Sequence, residues 1–372
     1  MLTVLPADTL IRERHGHAWV LREAAERAGI PTRVVAADTW PRKCGTAERN
    51  PKASPWLCLP IGAEVFFFRH HGLSRGGFAT GPAAPVNGTA GLITKDKQET
   101  GKRLAAAGIP TPPGRVFAAA DRAGALLYAA QCRGELCVKP NSGALGDLVF
   151  PGLRTAQEID DAFRMVAAHY DAVLVERSMP GHVWRFFYVE PAVVGVKFSR
   201  PASVLGDGIS SVAALIDAKH RERAARRVVG HFDIPEGHAR TFMLARQGLH
   251  LDSVPAAGRR VFLHPTSNGA SGADSISRPG AVHPGYRAMM ERACAAIPGL
   301  KVAALDVMIT DPAQPPTAGT VAVLEINAKP GLLPYHYPWE GPPQDVAGAV
   351  IGLLQRIAVP CQPMPPPASG PA

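Results

Sequence analysis

One stretch constrains this chain more than any other: Lys301–Leu333, KVAALDVMITDPAQPPTAGTVAVLEINAKPGLL. It contains two apolar runs, Val302–Ile309 and Thr320–Asn327, joined by a Pro- and Gly-rich connector that no helix tolerates. Strand alternation puts Val321, Val323, Glu325 and Asn327 on one face, and Ala322, Leu324 and Ile326 on the other. Both faces are apolar as far as Leu324, the pattern of a buried strand that turns polar at its end. Asp306 sits among Ala303, Ala304, Leu305, Val307, Met308 and Ile309, where a carboxylate without a partner neutralises or destabilises the fold. A local arginine or backbone amides would make it a structural acid. A hard cation is the other solution. Two carboxylates and an amide oxygen make part of an oxygen shell, which Mg2+ completes with water and phosphate. Asp306, Glu325 and Asn327 together, followed by Pro330-Gly331, favour metal and nucleotide phosphate.

Composition narrows the rest. With 372 residues, 46% hydrophobic and 19% charged, the chain reads as an ordinary globular protein of two or three lobes. No apolar run is long enough for a membrane span, and the first residues lack a signal-peptide core. Six cysteines without a CxxC pair point to a reducing cytoplasm. The net charge of +9 comes with neither a compact basic tail nor a basic strand interleaved with aromatics, which argues against nucleic acid. The densest basic cluster, Lys219, Arg221, Arg223, Arg226 and Arg227, reads first as a solvated helix face. P-loop, GxGxxG, HExxH and GxSxG patterns are all missing.

In chain order, the spacing predicts a helix over Gly16–Gly29, a strand over Thr32–Ala37, loop over Thr39–Pro60 and a buried strand at Val65–Phe68. A Gly/Pro-rich stretch, Gly72–Gly91, follows. Further helices are expected from Thr94 to Gly108, at Ala120–Gln131, Ala156–His169 and Gln344–Ala358. Strands are expected into Val116-Phe117 and at Glu135–Lys139, Ala172–Glu176, Trp184–Val189 and Val193–Phe198. The proline-rich end, residues 359–372, reads as a disordered tail.

LCVKPNSGALGD is the second strong signal. A lysine closing an apolar strand, followed by Pro and a glycine-bearing loop, can aim an ammonium and backbone N–H groups at a phosphate chain. Guanidiniums at Arg185 and Arg200, and the ammonium of Lys197, lie in the strand-rich segment FFYVEPAVVGVKFSRPA and just before it.

LEINAKPGL with the upstream LDVM, together with these motifs, resembles the ATP-grasp superfamily from about Thr94 to Leu354. The closest flavour is the ligase domain of cyanophycin synthetases and bifunctional glutathione-synthesising enzymes. The resemblance implies an α/β fold: a pre-grasp lobe over 1–92, then an ATP-grasp domain over 93–358 whose lobes divide near 175/176. It implies two Mg2+ ions, with Mn2+ as a substitute, held by Asp306, Glu325 and Asn327 against the phosphates of ATP. Nucleotide contacts carry over to Lys97 (in ITKDK), Lys139, Gly143, Gly146, Glu176 and Met179 (in VLVERSMPG). Arg185, Lys197, Arg200 and Asn268 take the catalytic positions. The chain departs from the family pattern at Val183, where a ribose-binding acid is usual, and at Asp147-Leu148, where the loop usually keeps a glycine.

The implied function is ATP-dependent carboxylate–amine ligation through an acyl phosphate, with small-molecule carboxylates and amines, amino acids or peptides, as partners. The alternatives are a kinase-type phosphotransferase and a degenerate nucleotide-binding regulatory module; homo-oligomerisation is left open. Substrate choice is assigned to the weakly matched first lobe, where Arg69 and Arg75 flank a histidine- and glycine-rich segment, and to His336 beyond the metal strand. Lys139→Ala is expected to weaken ATP binding while leaving the ligand-free thermal transition almost unchanged.

Overall fold

The computed structural model describes residues 2–10, 12–37, 55–143, 148–226 and 230–359, which pack as two units, residues 1–86 with 347–372 and residues 87–346. The first unit is an antiparallel sheet in simple chain order: β1 (Leu2–Leu5), β2 (Arg33–Ala37), β3 (Trp56–Ile61), β4 (Glu64–Arg69), β5 (Gly72–Gly77) and β6 (Gly81–Pro85). Helix α1 (Arg12–Arg27) buries Val20, Leu21, Ala24 and Ala25 at the spacing of one helical stripe. Val35, Cys58, Val65 and Phe67 form a small core, as alternation along three paired strands requires.

One expectation changes here. The described part of the loop expected over Thr39–Pro60 includes the start of strand β3, and residues 38–54 lie outside the described residues. The Gly/Pro-rich stretch after Gly72 is the hairpin β5–β6. Its register shifts between Arg75 and Gly76, and a Cβ added at Gly76 would stand 1.9 Å from the Gly81 carbonyl oxygen. Glycine there allows the backbones to touch, so composition that reads as a loop builds a bulged strand. The end of the C-terminal helix joins this unit through Arg75, whose Nη2 donates to the Ile357 carbonyl at 3.1 Å, and through the Ala63 N–H, which donates to Val359 at 3.0 Å. The tail expected over 359–372 lies outside the described residues from 360 onward.

The second unit opens with α2 (Ala90–Ile93) and α3 (Lys97–Ala106), the latter capped by Asp96 accepting from the Glu99 N–H at 2.9 Å. Then come β7 (Gly114–Ala118), α4 (Arg122–Gln131), β8 (Leu136–Pro140), β9 (Phe150–Leu153), α5 (Ala156–Ala167) and β10 (Ala172–Arg177). The sheet order is β7-β10-β8-β9. Its helix-facing side holds Phe117, Val138, Val173 and Val175 against Ala125, Phe163 and Val166. Lys139, Leu174 and Glu176 therefore point to the opposite side.

A second sheet, in the order β15-β12-β11-β16-β17, contains β11 (His182–Val189), β12 (Ala192–Arg200), β15 (Asp274–Ser277), β16 (Val302–Ile309) and β17 (Val321–Asn327). Between β12 and β15 lies a small lobe with its own core of Val204, Val212, Ile216, Leu244 and Val261. It is built from β13 (Ser203–Leu205), α6 (Val212–Arg226), α7 (His238–Arg246) and β14 (Arg260–Phe262). Helix α8 (Pro284–Ala295) covers one face of the five-stranded sheet with Tyr286, Met289, Met290 and Ala293. On the other face Tyr335, in α9 (Leu333–His336), packs over Phe187, with ring centroids 5.2 Å apart, and a Cβ at Gly195 would press to 2.9 Å from its ring. The last helix is α10 (Val346–Ile357).

The basic cluster on α6 is a solvated face only in part, with Arg221 and Arg226 exposed. Lys219 Nζ lies 2.7 Å from Asp274 Oδ2, and Arg223 donates to Asp274 Oδ1 at 3.0 Å, with Arg223 and Asp274 both buried. Arg227 lies outside the described residues. A buried carboxylate 51 residues after Arg223 and 55 after Lys219 turns one stripe of the helix inward, which charge pattern alone does not reveal.

Candidate active site

One transverse row of side chains crosses all five strands of the second sheet. Cross-strand registers pair Ser277 with Lys197, Lys197 with Arg185, Arg185 with Asp306, and Asp306 with Glu325. Direct partners in neighbouring strands share a face, so the row presents two cations and two carboxylates to one side of the sheet. Arg185 Nη1 reaches both oxygens of Asp306, at 3.0 and 3.1 Å. The Tyr335 hydroxyl donates to the Arg185 carbonyl at 3.2 Å and fixes the strand beneath it. Lys197, buried, has its ammonium 2.8 Å from Ser199 Oγ.

The row exists because β17 carries a bulge. Register shifts between Asp306 and Val307, so Val307 faces Val323 while Asp306 faces Glu325, and Leu324 is the extra residue. The reading that put Val321 and Val323 on the same face as Glu325 and Asn327 is therefore corrected. Val321, Val323 and Ile326 lie in the α8-side core, and Glu325 and Asn327 turn to the charged side. One inserted residue lets an apolar strand end in two oxygen-bearing side chains on the opposite face.

Burial lifts the Asp306 carboxyl to about 6, with Arg185 opposing and the neighbouring Glu325 carboxylate adding to the rise. Burial likewise presses the Lys197 ammonium down to about 7, helped by Arg185. Two carboxylates crowded side by side call for positive charge between them. Asn327, one strand position along and diagonal to Asp306, has its Oδ1 2.9 Å from the Lys329 N–H, leaving its second lone pair. This all-oxygen donor set suits Mg2+ or Mn2+ rather than a thiolate- or imidazole-preferring metal. Among the described residues no group of three His, Cys, Asp or Glu side chains is placed to hold a metal unaided. The donors number two carboxylates and an amide, so water and ligand oxygens would complete the shell.

The other sheet brings its own charges to the same region. Cross-strand partners Lys139/Leu174 and Cys137/Glu176 put Lys139 and Glu176 diagonally on one face, and their charged ends meet at 2.5 Å. Burial pushes Lys139 down, but Glu176 outweighs it and holds the ammonium above its usual value. Burial also lifts the Glu176 carboxyl against the pull of Lys139. The short contact, with Lys97 nearby, favours the charge-separated pair. Lys97, at the start of α3, donates to the Gly143 carbonyl at 3.1 Å and stands 3.9 Å from Glu325 Oε2. It thus ties the start of the glycine loop to the carboxylate strand. A cavity of about 290 Å3 lies here, lined by Lys97, Leu174, Glu176, Leu324 and Glu325 among others. Apolar walls with a few converging charges are the usual make-up of a small-molecule pocket.

The remaining candidates fall in several places. Met179 lies on the connection from β10 to β11, just after Glu176, and Gly146 lies outside the described residues. Asn268 uses Oδ1 to accept from the Ala270 N–H at 2.9 Å, starting a short helical turn. Arg200 ends β12 and pairs with Glu340 at 2.7 Å. His336 ends α9, 3.8 Å from Asp345. Arg69 and Arg75 belong to the first unit, on β4 and β5. Arg75 contacts Glu64 at 3.2 Å. Arg69 lies over the Trp56 ring at 5.1 Å, and its buried Nε has no hydrogen-bond partner among the described residues. Sequence reasoning missed Tyr335, Ser199 and Ser277. The serines alternate with apolar residues beside Lys197, a signal that becomes readable only once the β12–β15 pairing is known.

No family model matches the chain. Among curated proteins it is 32% identical over 265 residues to a cyanophycin synthetase of Nostoc sp. (strain PCC 7120), which covers 70% of this chain and 29% of that protein. It is 30% identical over 276 residues to the glutathione biosynthesis bifunctional protein GshAB of Enterococcus faecalis, covering 71% and 35%. A crystal structure of a bifunctional glutathione synthetase from Pasteurella multocida superposes with a TM-score of 0.60 at 24% identity, over 92% of this chain and 43% of that one. The chain belongs to the ATP-grasp superfamily. The fold of this ATP-grasp protein is the α/β architecture expected from its motifs. It spans about a third of the length of the curated relatives it matches. No helix among its described residues is long and apolar enough to cross a membrane.

Proposed function

We propose that this ATP-grasp protein is an ATP-dependent carboxylate–amine ligase working through an acyl phosphate. The observation that carries the reading is the transverse row Lys197–Arg185–Asp306–Glu325, set beside the cavity lined by Lys97 and Glu176. A substrate carboxylate oxygen attacks the γ-phosphorus of ATP. The new O–P bond forms as the bond to the β-phosphate oxygen breaks, and ADP leaves. The amine then attacks the acyl carbon, the C–N bond forms, phosphate departs with its oxygen, and the amine loses a proton. Phosphoryl transfer asks a protein chiefly for positioning and for charge aimed at the phosphoryl oxygens.

Asp306, Glu325 and Asn327 would hold Mg2+, or Mn2+ in its place, and the ion neutralises phosphate charge when bound. Lys139 and Lys97 bind the phosphate chain, with Glu176 orienting the Lys139 ammonium. Arg185 presents a guanidinium already fixed by Asp306, so little order is lost when it meets an anion. Glu176 and the backbone near Met179 receive the adenosine end, and Arg200 and Asn268 serve the acid substrate.

The test is ADP release from pairs of amino acids or short peptides, with hydroxylamine added to intercept the activated acid as a hydroxamate. ADP, phosphate and hydroxamate appearing together support the ligase. AMP with pyrophosphate would point to adenylation, and a phosphorylated product to a kinase; either overturns the proposal.

A further inference from the structure

Asn87 lies in PAAPVNGTAG, a stretch that carries no motif, yet it is buried and every polar atom of its side chain is used. Nδ2 donates to the carbonyls of Val302 and Ala328, both at 2.8 Å. Oδ1 accepts from the N–H groups of Lys301 and Val302, both at 2.9 Å. Two donors and two lone pairs are all that a carboxamide has, and here each ends on backbone. Carbonyls on one side and N–H groups on the other also dictate which way the amide points. Asn87 is itself anchored, because its own carbonyl accepts at 3.0 Å from the N–H of Ala90, which is fully buried at the start of α2.

The atoms it holds lie just past the end of the β16–β17 ladder. The last pair there is Ala304 with Asn327, so Lys301 and Val302 precede the paired part of β16 and Ala328 follows that of β17. Three pairs, Asp306–Glu325, Leu305–Ile326 and Ala304–Asn327, separate the bulge at Leu324 from this end. A ladder that short is weakly fixed in register, and a slip of one residue would exchange the faces of Glu325 and Asn327. Asn87 Nδ2 joins the two strands at the open end, so a slip must break its hydrogen bond to the Ala328 carbonyl, next to Asn327. The side chain thus stands in for a further pair of the ladder.

We propose that Asn87 is a positioning residue that locks the bulged register of β17 and so holds Glu325 and Asn327 where they can share a divalent cation with Asp306. That role rests on the metal-binding part of the ligase reading, and it can be measured without turnover. Asn87→Asp is the discriminating variant: it keeps both acceptor bonds to β16 and loses both donors, including the one to Ala328. Asn87→Ser, which is smaller than asparagine, loses the bridge as well. Mn2+ is titrated into the full chain at mildly alkaline pH, without nucleotide and again with ADP, and the free ion is read by electron paramagnetic resonance. Both variants should bind Mn2+ ~10-fold more weakly than wild type, the scale for losing a group that supports a metal ligand. Val261→Ala, in the core of the small lobe, supplies the control; it should unfold earlier than wild type yet keep wild-type Mn2+ affinity. Equal affinities in wild type and Asn87→Asp overturn the proposal and leave the metal assignment standing. A loss in Val261→Ala that matches the loss in Asn87→Asp overturns it too, since general destabilisation then explains both. If neither Asn87 variant folds, the residue holds the fold as a whole and the proposal falls. Wild type that binds no Mn2+ in either condition sinks the metal reading itself, and the positioning role with it.

Discussion

Asp274 and Asp306 are both acids on the five-stranded sheet, yet they meet opposite surroundings. Asp274, on the edge strand β15, is 1% exposed and answered by Lys219 and Arg223, which also donate to the Ser203 and Gly272 carbonyls, while Arg223 Nε has no partner among the described residues. Asp306, on β16 three strands away, has Arg185 on one side and a second carboxylate, Glu325, on the other. The first acid is complete without a ligand. The second is crowded in a way that added positive charge would relieve. Buried charge by itself does not mark a functional site; an unbalanced set of charges does.

The largest effects should separate these two acids. Asp306→Asn and Glu325→Gln should each cut turnover by ~10^2-fold or more, since they weaken the charge clamp on the phosphoryl group. Their cost in stability should stay near ~1 kcal/mol, because each removes a like-charge contact along with a favourable one. Asp274→Asn should instead lose about 3–5 kcal/mol of folding free energy, the range for one partner missing from a buried ion pair. Denaturant unfolding and ADP formation measured on the same three proteins decide it. Near-normal turnover in Asp306→Asn would remove the metal assignment.

Lys139 tests whether a group can belong to both classes. It is 6% exposed and bonded to an equally buried Glu176. The sequence-based expectation that Lys139→Ala leaves the ligand-free transition untouched is therefore revised. Removing the ammonium strands a buried carboxylate, so the ligand-free protein should lose about 3 kcal/mol, and ATP affinity should fall as well. An unchanged unfolding midpoint would mean that Glu176 finds another partner, with Lys97 the nearest candidate.

The legible parts of this molecule were those written in local pattern. Strands Val302–Ile309 and Val321–Asn327 match their apolar runs, and the metal candidates end one strand and interrupt the other, as read. The bulge at Leu324 was not legible, because strict alternation assumes no inserted residue, and a single insertion exchanges the faces. The β5–β6 hairpin was hidden by glycines and prolines that usually mark loops. The Lys219–Asp274–Arg223 group joins α6 to a four-residue strand, Asp-Ser-Ile-Ser, too short and polar to announce itself. Charges that cooperate across more than 50 residues leave no periodic trace along the chain.

The same contrast divides Arg69 from Arg75, which the sequence placed together as substrate contacts. Arg75 is engaged by Glu64, by the Ile357 carbonyl and by the Phe66 ring. Because its side chain is 40% exposed, solvent screens the pair, and Arg75→Ala should cost ~1 kcal/mol or less with substrate constants unchanged. Arg69 retains a buried N–H that finds no partner among the described residues, and burial lowers its proton affinity. Arg69→Ala should raise the apparent Michaelis constant of the acid substrate ~10-fold, the scale of one charge-assisted hydrogen bond, and leave that for ATP alone. If both variants behave alike, the distinction between answered and unanswered arginines fails in this unit.

The smallest effect concerns an acid satisfied by hydrogen bonds alone. Asp207 lies at the exposed turn before α6 and accepts from the Ser210 N–H at 2.7 Å, the Ser210 hydroxyl at 2.7 Å and the Ile209 N–H at 2.9 Å. The Ser210 amide does most to bring its carboxyl down to about 2, with the hydroxyl and the Ile209 amide following. All three donors favour the ionised form, so the folded pKa lies below the unfolded one. The stabilisation is therefore complete above the unfolded value near ~3.9 and disappears as pH falls through about 2. Asp207→Ala should melt slightly below wild type at neutral pH, and the gap should narrow steadily between about pH 4 and about pH 2. Asp274→Asn supplies the contrast, since its deficit comes from stranding the buried Arg223 and the largely covered Lys219 and is already present at neutral pH. A gap for Asp207→Ala that stays constant down to about pH 2 would show that the turn is held by its backbone, with the carboxylate incidental.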